Sequence, residues 1–286
     1  MSRFLSGFHS FGLQYEQKYI TRADGTMLRI CVYYPREKRD GVPGLLWLHG
    51  GGYALGVPEQ DESFIKRFVE ASGCVVVAPD YTLSLQKPYP AALEDSYAAL
   101  LWLRDNGAQY GMRSDQIFVG GESAGGGLTA ALSLYARDKA EVAIAFQMPL
   151  YPMLDDRPTE SSANNDAPVW NTTSNNLAWQ LYLGDAYGTD DVPIYAAPAR
   201  AADYSGLPPA CTYVGSIEPF FAETQTYVEK LRNSGVSVDF KVFDGAFHGF
   251  DIICPNTKIA KDARSFLMDC FKYAVENYFA EQPAGV

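Results

Sequence analysis

Short, continuously apolar runs alternate with helical patterns along most of this 286-residue chain. Residues 44–48 (GLLWL) and 74–78 (CVVVA) are bounded by glycine or proline, which is typical of strands covered on both faces of a parallel sheet. Further strand-like segments are residues 26–34, 117–119, 142–148, 211–214 and 238–243. Because these runs alternate with helices, the sequence predicts an α/β fold with a mostly parallel sheet.

Helical patterns occupy the intervals between these runs. Pro90 opens one that ends near Gly107, and this order of proline and glycine is typical of helix ends. Further helices are predicted over residues 124–138, 220–233 and 259–278. The last has one apolar face, so we expect it to pack on the sheet.

The regular alternation is interrupted in residues 152–209, which are rich in proline, asparagine, aspartate and serine. The only helix predicted there covers residues 173–183. A structureless loop of this length is uncommon inside a compact domain and is functional when it occurs. We therefore expect a single domain over residues 1–286 with a cap subdomain inserted over about residues 152–205.

Composition narrows the classes of partner. The net charge of −11 argues against nucleic acid and anionic membranes, because such binding depends on Lys and Arg neutralising phosphates. No segment approaches the roughly 18 apolar residues that span a bilayer. The five cysteines include no CxxC pair, and the N-terminus lacks the pattern of a secretory signal. These observations predict reduced thiols, a cytoplasmic location and no metal site.

Residues 121–125 (GESAG) match the G-x-S-x-G pattern. The match lies between an apolar strand-like run and a helical pattern, where a sharp turn would expose the hydroxyl of Ser123 above the sheet. A helix N-terminus there would also favour developing negative charge. The alternative is a glycine-rich turn with no chemical role. The pattern predicts that Ser123 is a nucleophile.

A second glycine-rich loop, residues 49–52 (HGGG), directly follows the strand-like run LLWL. Glycines leave backbone N–H groups accessible and allow a ligand to approach closely. Two of these glycine amides, together with the amide of Ala124, could stabilise the oxyanion of an acyl transfer. The alternative is a flexible turn.

A serine nucleophile needs a base, and the chain has three histidines. His9 belongs to the N-terminal segment and His49 to the glycine loop. His248 follows the predicted strand over residues 238–243, so we predict that it is the base. A purely structural histidine is the alternative at this position.

The third member of such a site orients the imidazole. In α/β-hydrolases the order along the chain is Ser, acid, His. Glu218 follows the predicted strand over residues 211–214, and its position favours it as the acid. Three other carboxylates remain as alternatives, namely Glu223, Asp239 and Asp244.

Together these motifs resemble the hormone-sensitive-lipase-like family of α/β-hydrolases, which includes bacterial carboxylesterases and acetyl esterases. The resemblance is carried by residues 49–52 (HGGG), 79–81 (PDY), 89–95 (YPAALED), 121–126 (GESAGG) and 247–250 (FHGF). It implies an eight-stranded sheet, a cap over the site, no cofactor, and the amides of Gly51, Gly52 and Ala124 as oxyanion donors. It also allows a homodimer.

The chain departs from the family pattern in three places. Glu122 precedes the serine where the family usually has Asp, and we interpret it as structural. Glu218 likewise replaces the usual Asp, and the N-terminal cap segment is short because strand-like sequence begins near Tyr19. Four aromatic residues could line a substrate pocket or form the core of the cap; they are Tyr53, Trp170, Trp179 and Tyr182.

The leading functional hypothesis is a serine carboxylesterase that hydrolyses short-chain acyl esters through an acyl-enzyme. The same residues could instead act on amides, formamides, lactones or carbamates, since each forms a similar oxyanion. A non-catalytic ligand receptor on the same fold is a third possibility. His248 argues against it, because the plant hormone receptors that resemble this family lack the catalytic histidine.

Overall fold

A computed structural model of the protein describes residues 12–22 and 24–284, so His9 lies outside the described residues. These residues form one eight-stranded sheet. Its strands are β1 (Leu13–Thr21), β2 (Met27–Pro35), β3 (Val42–Leu48), β4 (Val75–Pro79), β5 (Met112–Glu122), β6 (Phe146–Leu150), β7 (Ala210–Gly215) and β8 (Val238–Phe243).

The strand order is β1-β2-β4-β3-β5-β6-β7-β8. The pairs β1–β2 and β2–β4 are antiparallel, whereas every later pair is parallel. The predicted α/β fold with a mostly parallel, eight-stranded sheet is confirmed. Since parallel strands end at the same edge, the loops that follow β3, β5, β7 and β8 are brought together there.

Seven α-helices accompany the sheet in the described part of the chain. They are α1 (Glu62–Ser72), α2 (Ala91–Asn106), α3 (Ala124–Lys139), α4 (Thr172–Leu183), α5 (Phe221–Asn233), α6 (Phe250–Ile253) and α7 (Lys258–Asn277). Five of them match predicted helices closely, but α1 and α6 were not predicted. Of the helices described, none has both the length and the apolar character needed to cross a membrane.

Three predicted strands begin several residues away from where they are expected, and β5 starts at Met112 rather than at residue 117. β1 begins at Leu13 rather than near Tyr19, because as an edge strand it alternates polar and apolar residues that do not form an apolar run. β6 begins at Phe146 rather than Val142; Val142 is buried in the preceding turn, and Phe146 is paired with Phe118 of β5.

Both faces of the sheet are covered by apolar side chains. On one face, α2 and α3 pack against β3 and β5 through residues such as Leu46 and Leu100. On the other face, α1 and α7 meet through Phe68 and Phe271, whose ring centroids are 4.7 Å apart. Because both faces are covered, the central strands are continuously apolar in sequence. The sheet edge that carries the loops is thereby held between two packed layers of helices.

Residues 151–209 connect β6 to β7 and contain α4 with two short 3-10 helices. The side chain of Asn171 accepts a hydrogen bond from the Ser174 amide at 3.0 Å and thereby caps α4. The inner face of α4 carries Ala178, Trp179 and Tyr182, all buried in the same core cluster as α2 and α3. This segment is therefore packed against the body of the domain rather than extended into solvent.

Candidate active site

Ser123 is the single residue between β5 and α3. Its backbone has φ 59° and ψ −119°, a conformation that costs a residue other than glycine about 1–3 kcal/mol. The neighbouring glycines are required by packing, because a Cβ on Gly121 or Gly125 would lie 2.4 Å or 2.0 Å from the Leu48 carbonyl oxygen. The sharp turn expected from the G-x-S-x-G pattern is thus present at the carboxyl end of β5.

Three of the predicted site residues form a continuous chain of hydrogen bonds. The Nε2 atom of His248 lies 2.8 Å from the Oγ atom of Ser123. Its Nδ1 atom is hydrogen-bonded to one carboxylate oxygen of Glu218, whose other oxygen accepts from the Gly215 amide at 2.8 Å. All three side chains are buried. With Nδ1 protonated toward the carboxylate, Nε2 is free to accept the serine proton.

The imidazole of His248 is enclosed by aromatic rings. Tyr151 and Phe220 both meet it edge-on with ring centroids 5.0 Å away, and Trp170 lies 6.0 Å away. These rings restrict its rotation and exclude water from the hydrogen bonds it makes. Tyr151 and Phe220 were not predicted from the sequence, since no local pattern distinguishes them from core aromatics.

The three alternative carboxylates have other positions. Glu223 lies on α5, and one of its oxygens accepts from the backbone amides of Leu154 and Asp155 at 2.7 and 3.3 Å. Burial raises its pKa well above the ordinary value. Asp239 and Asp244 are exposed to solvent. Of these four described carboxylates, Glu218 alone is hydrogen-bonded to His248.

The glycine loop after β3 is arranged by its own turn. Gly51 and Gly52 have φ values of 121° and 59°, which favour glycine. The Gly51 carbonyl accepts hydrogen bonds from the amides of Ala54 and Leu55 at 3.1 and 3.0 Å. Because the C=O and N–H of a trans peptide point in opposite directions, the Gly52 N–H points away from this turn.

The same argument applies to the first residue of α3. The carbonyl of Ser123 accepts from the amides of Gly127 and Met153 at 2.9 and 3.0 Å. The Ala124 N–H belongs to the same peptide, so it points in the opposite direction. As a first-turn amide it also has no partner within its own helix. Ala124 can therefore donate to a group bound beside Ser123.

His49 is built into the wall of the glycine loop. Its ring stacks on Tyr81 with centroids 4.2 Å apart, and its Nδ1 atom lies 2.7 Å from the Gly50 carbonyl oxygen. Burial lowers the pKa of His49 to about 4, so the ring is neutral at neutral pH and Nδ1 donates to that oxygen. The hydroxyl of Tyr81 donates to the His49 carbonyl at 2.7 Å.

Glu122, which replaces the usual Asp, is directed toward this loop. One of its carboxylate oxygens accepts from the Gly50 amide at 2.6 Å, and a Cβ on Gly50 would lie 2.2 Å from that oxygen. Burial, together with the nearby Asp61, raises the pKa of Glu122 well above its ordinary value. No signal in the sequence indicated this contact between residues 72 positions apart.

The four aromatic residues suggested for the pocket occupy two environments. Tyr53 and Tyr182 stack with ring centroids 3.8 Å apart, and Trp179 lies about 6 Å from both. These three rings are at most 1% exposed. Trp170 instead borders the loops that carry Gly52 and His248, because a Cβ on Gly52 would lie 2.5 Å from its ring. Trp170 is thus the member of the set that touches both Gly52 and His248.

Across the described residues, no group of three or more His, Cys, Asp and Glu side chains is arranged to hold a metal ion. The eight-stranded sheet, with a serine at the turn from β5 to α3, is characteristic of the α/β-hydrolase class. A profile described as the α/β hydrolase fold matches residues 45–252 of the chain. The protein belongs to this family.

Named relatives cover most of the chain. Carboxylesterase NlhH of Mycobacterium tuberculosis is 33% identical over 242 residues, which are 83% of this chain and 76% of the relative. Esterase LipI of the same species is 33% identical over 77% of this chain and 69% of its own length. The solved structure of a bacterial heroin esterase superposes with a TM-score of 0.88 and 34% identity, covering 96% of this chain and 88% of that one.

The resemblance to the hormone-sensitive-lipase-like family, predicted from five motifs, is confirmed by these matches. The expected enzyme class is confirmed with it, since the relatives are carboxylesterases and carboxylic ester hydrolases. The comparisons identify the family and the type of reaction.

Proposed function

We propose that this protein is a serine carboxylesterase that hydrolyses short-chain acyl esters through an acyl-enzyme intermediate. The observation that carries the proposal is the buried hydrogen-bond chain Ser123–His248–Glu218, with 2.8 Å between Oγ and Nε2. Its position at the carboxyl edge of the sheet, beside two loops with outward N–H groups, supports an acyl transfer.

The mechanism begins when the Oγ atom of Ser123 attacks the ester carbonyl carbon while His248 accepts the hydroxyl proton at Nε2. Glu218 holds the imidazole by its Nδ1 and stabilises the imidazolium that forms. The imidazolium then protonates the leaving alcohol, and the acyl group remains on Ser123. Water, deprotonated by His248, attacks the acyl-enzyme and releases the carboxylic acid.

The oxyanion that forms at the carbonyl oxygen is stabilised by the amides of Gly51, Gly52 and Ala124. Each such donor, fixed in place before the reaction, contributes about 3–4 kcal/mol to stabilising the transition state. The doubly accepting carbonyls of Gly51 and Ser123 support this assignment, because the N–H groups of Gly52 and Ala124 point opposite to these carbonyls and so away from the amides that bind them. This mechanism uses no cofactor and no metal.

Residues 152 to about 205 act as a cap on a single domain that spans residues 1–286. Trp170, at the boundary with the catalytic loops, limits the space for the acyl group, while Tyr53, Trp179 and Tyr182 hold the cap to the domain. The expected partner is a small-molecule ester, with no nucleic acid and no membrane because of the net charge of −11. A homodimer remains a prediction from the family resemblance.

A cytoplasmic location is part of the proposal. It is supported by the five cysteines, all free and four of them buried among the described residues. Burial raises the pKa of the Cys31 and Cys74 thiols to about 12, so they stay protonated and unreactive.

Stopped-flow hydrolysis of p-nitrophenyl acetate tests the proposal. The wild-type protein should release a burst of p-nitrophenol and should be labelled by an organophosphonate at Ser123. Ser123→Ala should lose about 10⁴-fold or more in kcat. Ser133→Ala, which truncates the buried serine of α3, is the matched control and should retain activity.

Retained activity in Ser123→Ala would exclude this mechanism, and absence of both labelling and turnover in the wild type would favour the receptor hypothesis. A panel of esters, amides and lactones with acyl chains of increasing length then identifies the substrate class. Rates that fall steeply beyond short chains are expected for the ester series.

A further inference from the structure

Gly50 contributes no donor to the proposed oxyanion hole, yet both of its peptide units are held by side chains. The peptide between residues 49 and 50 is bound at its oxygen by Tyr81 and at its N–H by Glu122. The peptide between residues 50 and 51 is bound at its oxygen by the His49 ring at 2.7 Å and by Gln60 at 3.3 Å.

These four contacts fix the direction of the next amide. The Gly51 N–H shares a peptide plane with the Gly50 carbonyl and points the opposite way. Holding that carbonyl against His49 and Gln60 therefore directs the Gly51 N–H away from them. Three consecutive glycines have no side chains of their own to restrict φ and ψ, so this orientation has to be imposed by other residues.

Glu122 has a particular place among the four. It immediately precedes Ser123, so its bond to the Gly50 amide joins the nucleophile turn directly to the glycine loop. Its carboxylate is buried, and Gly50 fits beside it because glycine has no Cβ that would collide with the carboxylate oxygen. Displacing the carboxylate would free the first peptide plane and, through Gly50, the plane that carries the Gly51 N–H.

We propose that Glu122 is a positioning residue that holds the Gly50 peptide so that the Gly51 N–H is directed at the reacting carbonyl, with Gln60 assisting through its hydrogen bond to the Gly50 carbonyl. This inference rests on the proposed esterase function. It assigns to Glu122 an effect on transition-state stabilisation, in contrast to a residue that only maintains the fold.

The test compares an ester with its thionoester, in which sulfur replaces the carbonyl oxygen. Sulfur is a weak hydrogen-bond acceptor, so thionoester hydrolysis gains little from an oxyanion hole. Glu122→Met, which removes the acceptor at similar length, should lower kcat for p-nitrophenyl acetate by about 10- to 100-fold. Its kcat for the thionoester and its KM values for both substrates should change less than about threefold. The ratio of kcat for the ester to kcat for the thionoester should therefore fall by about 10- to 100-fold.

Two further variants separate positioning from structural damage. Glu122→Gln keeps an oxygen that can accept from the Gly50 amide, so it should restore the ratio. Asp156→Asn changes a buried carboxylate whose described side-chain hydrogen bonds are to Arg200, away from the glycine loop, and should leave the ratio unchanged. Gln60 is exposed, so Gln60→Leu should fold. If Glu122→Met does not fold, Gln60→Leu replaces it as the test variant. The expected fall in the ester-to-thionoester ratio is then smaller.

The proposal would be overturned if the test variant lost kcat equally on the ester and the thionoester, or if its ester-to-thionoester ratio were unchanged. If activity still depends on Ser123 in that case, the esterase assignment stands and only the role of Glu122 fails. Activity that survives in Ser123→Ala would instead overturn the proposed function.

Discussion

The loops at the sheet edge and the segment that joins β6 to β7 are held in place by different interactions. At the edge, Ser123, His248 and the glycine loop are fixed by short hydrogen bonds to named partners. In the connecting segment, Trp170, Asn175, Trp179 and Tyr182 each carry a buried polar atom without a hydrogen-bond partner among the described residues. Around α4 the segment is packed mainly through these aromatic rings, whereas its flanks are hydrogen-bonded to the domain, for example from the Asn165 side chain to the Ile217 carbonyl oxygen.

This difference suggests a division of roles. Hydrogen bonds specify direction, and an acyl transfer requires donors and acceptors aligned within a few tenths of an ångström. Aromatic packing specifies shape and tolerates change when the volume is conserved. We therefore expect substitutions at the sheet edge to change kcat, and those in the connecting segment to change selectivity or stability.

Two buried glutamates five residues apart provide the largest contrast. Glu218→Gln should lower kcat by about 10³- to 10⁴-fold, because the amide cannot stabilise the imidazolium of His248. Glu223→Gln should lower it by less than about tenfold, because the amide oxygen can still accept from Leu154 and Asp155. Steady-state kinetics on one ester measures both, and a larger loss in Glu223→Gln would assign the acid to α5.

The burial of His49 should make the free energy of unfolding depend on pH. The folded ring has a pKa of about 4 against an ordinary 6.5, so between these values the unfolded chain binds a proton that the folded protein does not. The folded state is therefore destabilised as the pH falls through this window, by up to about 3 kcal/mol.

His49→Gln removes this titration. Its free energy of unfolding in urea, compared with that of the wild type at pH 7 and at about pH 4, isolates the effect from other groups. The advantage of the wild type should shrink toward low pH. A constant difference would show that the ring titrates normally in the folded state.

Trp170 lies where the two regions meet. Trp170→Ala should change kcat for an acetyl ester by less than about tenfold while shifting the preference toward longer acyl chains, since each methylene accommodated contributes about 1–3 kcal/mol. Trp102→Ala on α2, remote from the site, is the matched control. Unchanged chain-length preference, measured as kcat/KM across the series, would remove Trp170 from the pocket.

Tyr182 should give the smallest effect. Its hydroxyl is buried without a partner among the described residues, so Tyr182→Phe should change the free energy of unfolding by less than about 1 kcal/mol. Tyr213→Phe is the comparison, because that hydroxyl donates to Asp251 at 2.6 Å and its loss should cost about 1–3 kcal/mol. Similar losses in thermal or urea unfolding would mean that the Tyr182 hydroxyl is hydrogen-bonded.

Much of the fold could be predicted because its signals are local. Strands covered on both faces are continuously apolar, as in β3 and β4, whereas the edge strand β1 has too few apolar residues to stand out before Tyr19. Helix α1 was missed although it buries Phe64, Ile65, Phe68 and Val69 along one face. That spacing, with buried residues one, three and four positions apart, is a detectable helical signal.

The sequence by itself determined the α/β class, the serine turn and the eligible histidine, because each depends on residue types within one short segment. It favoured Glu218 over three other carboxylates as the acid, and the tertiary structure alone shows that Glu218 is hydrogen-bonded to His248. Tertiary structure also decided that Tyr53, Trp179 and Tyr182 pack together and that Glu122 reaches Gly50. Contacts between side chains tens of residues apart depend on how whole elements pack, and no local pattern encodes that packing.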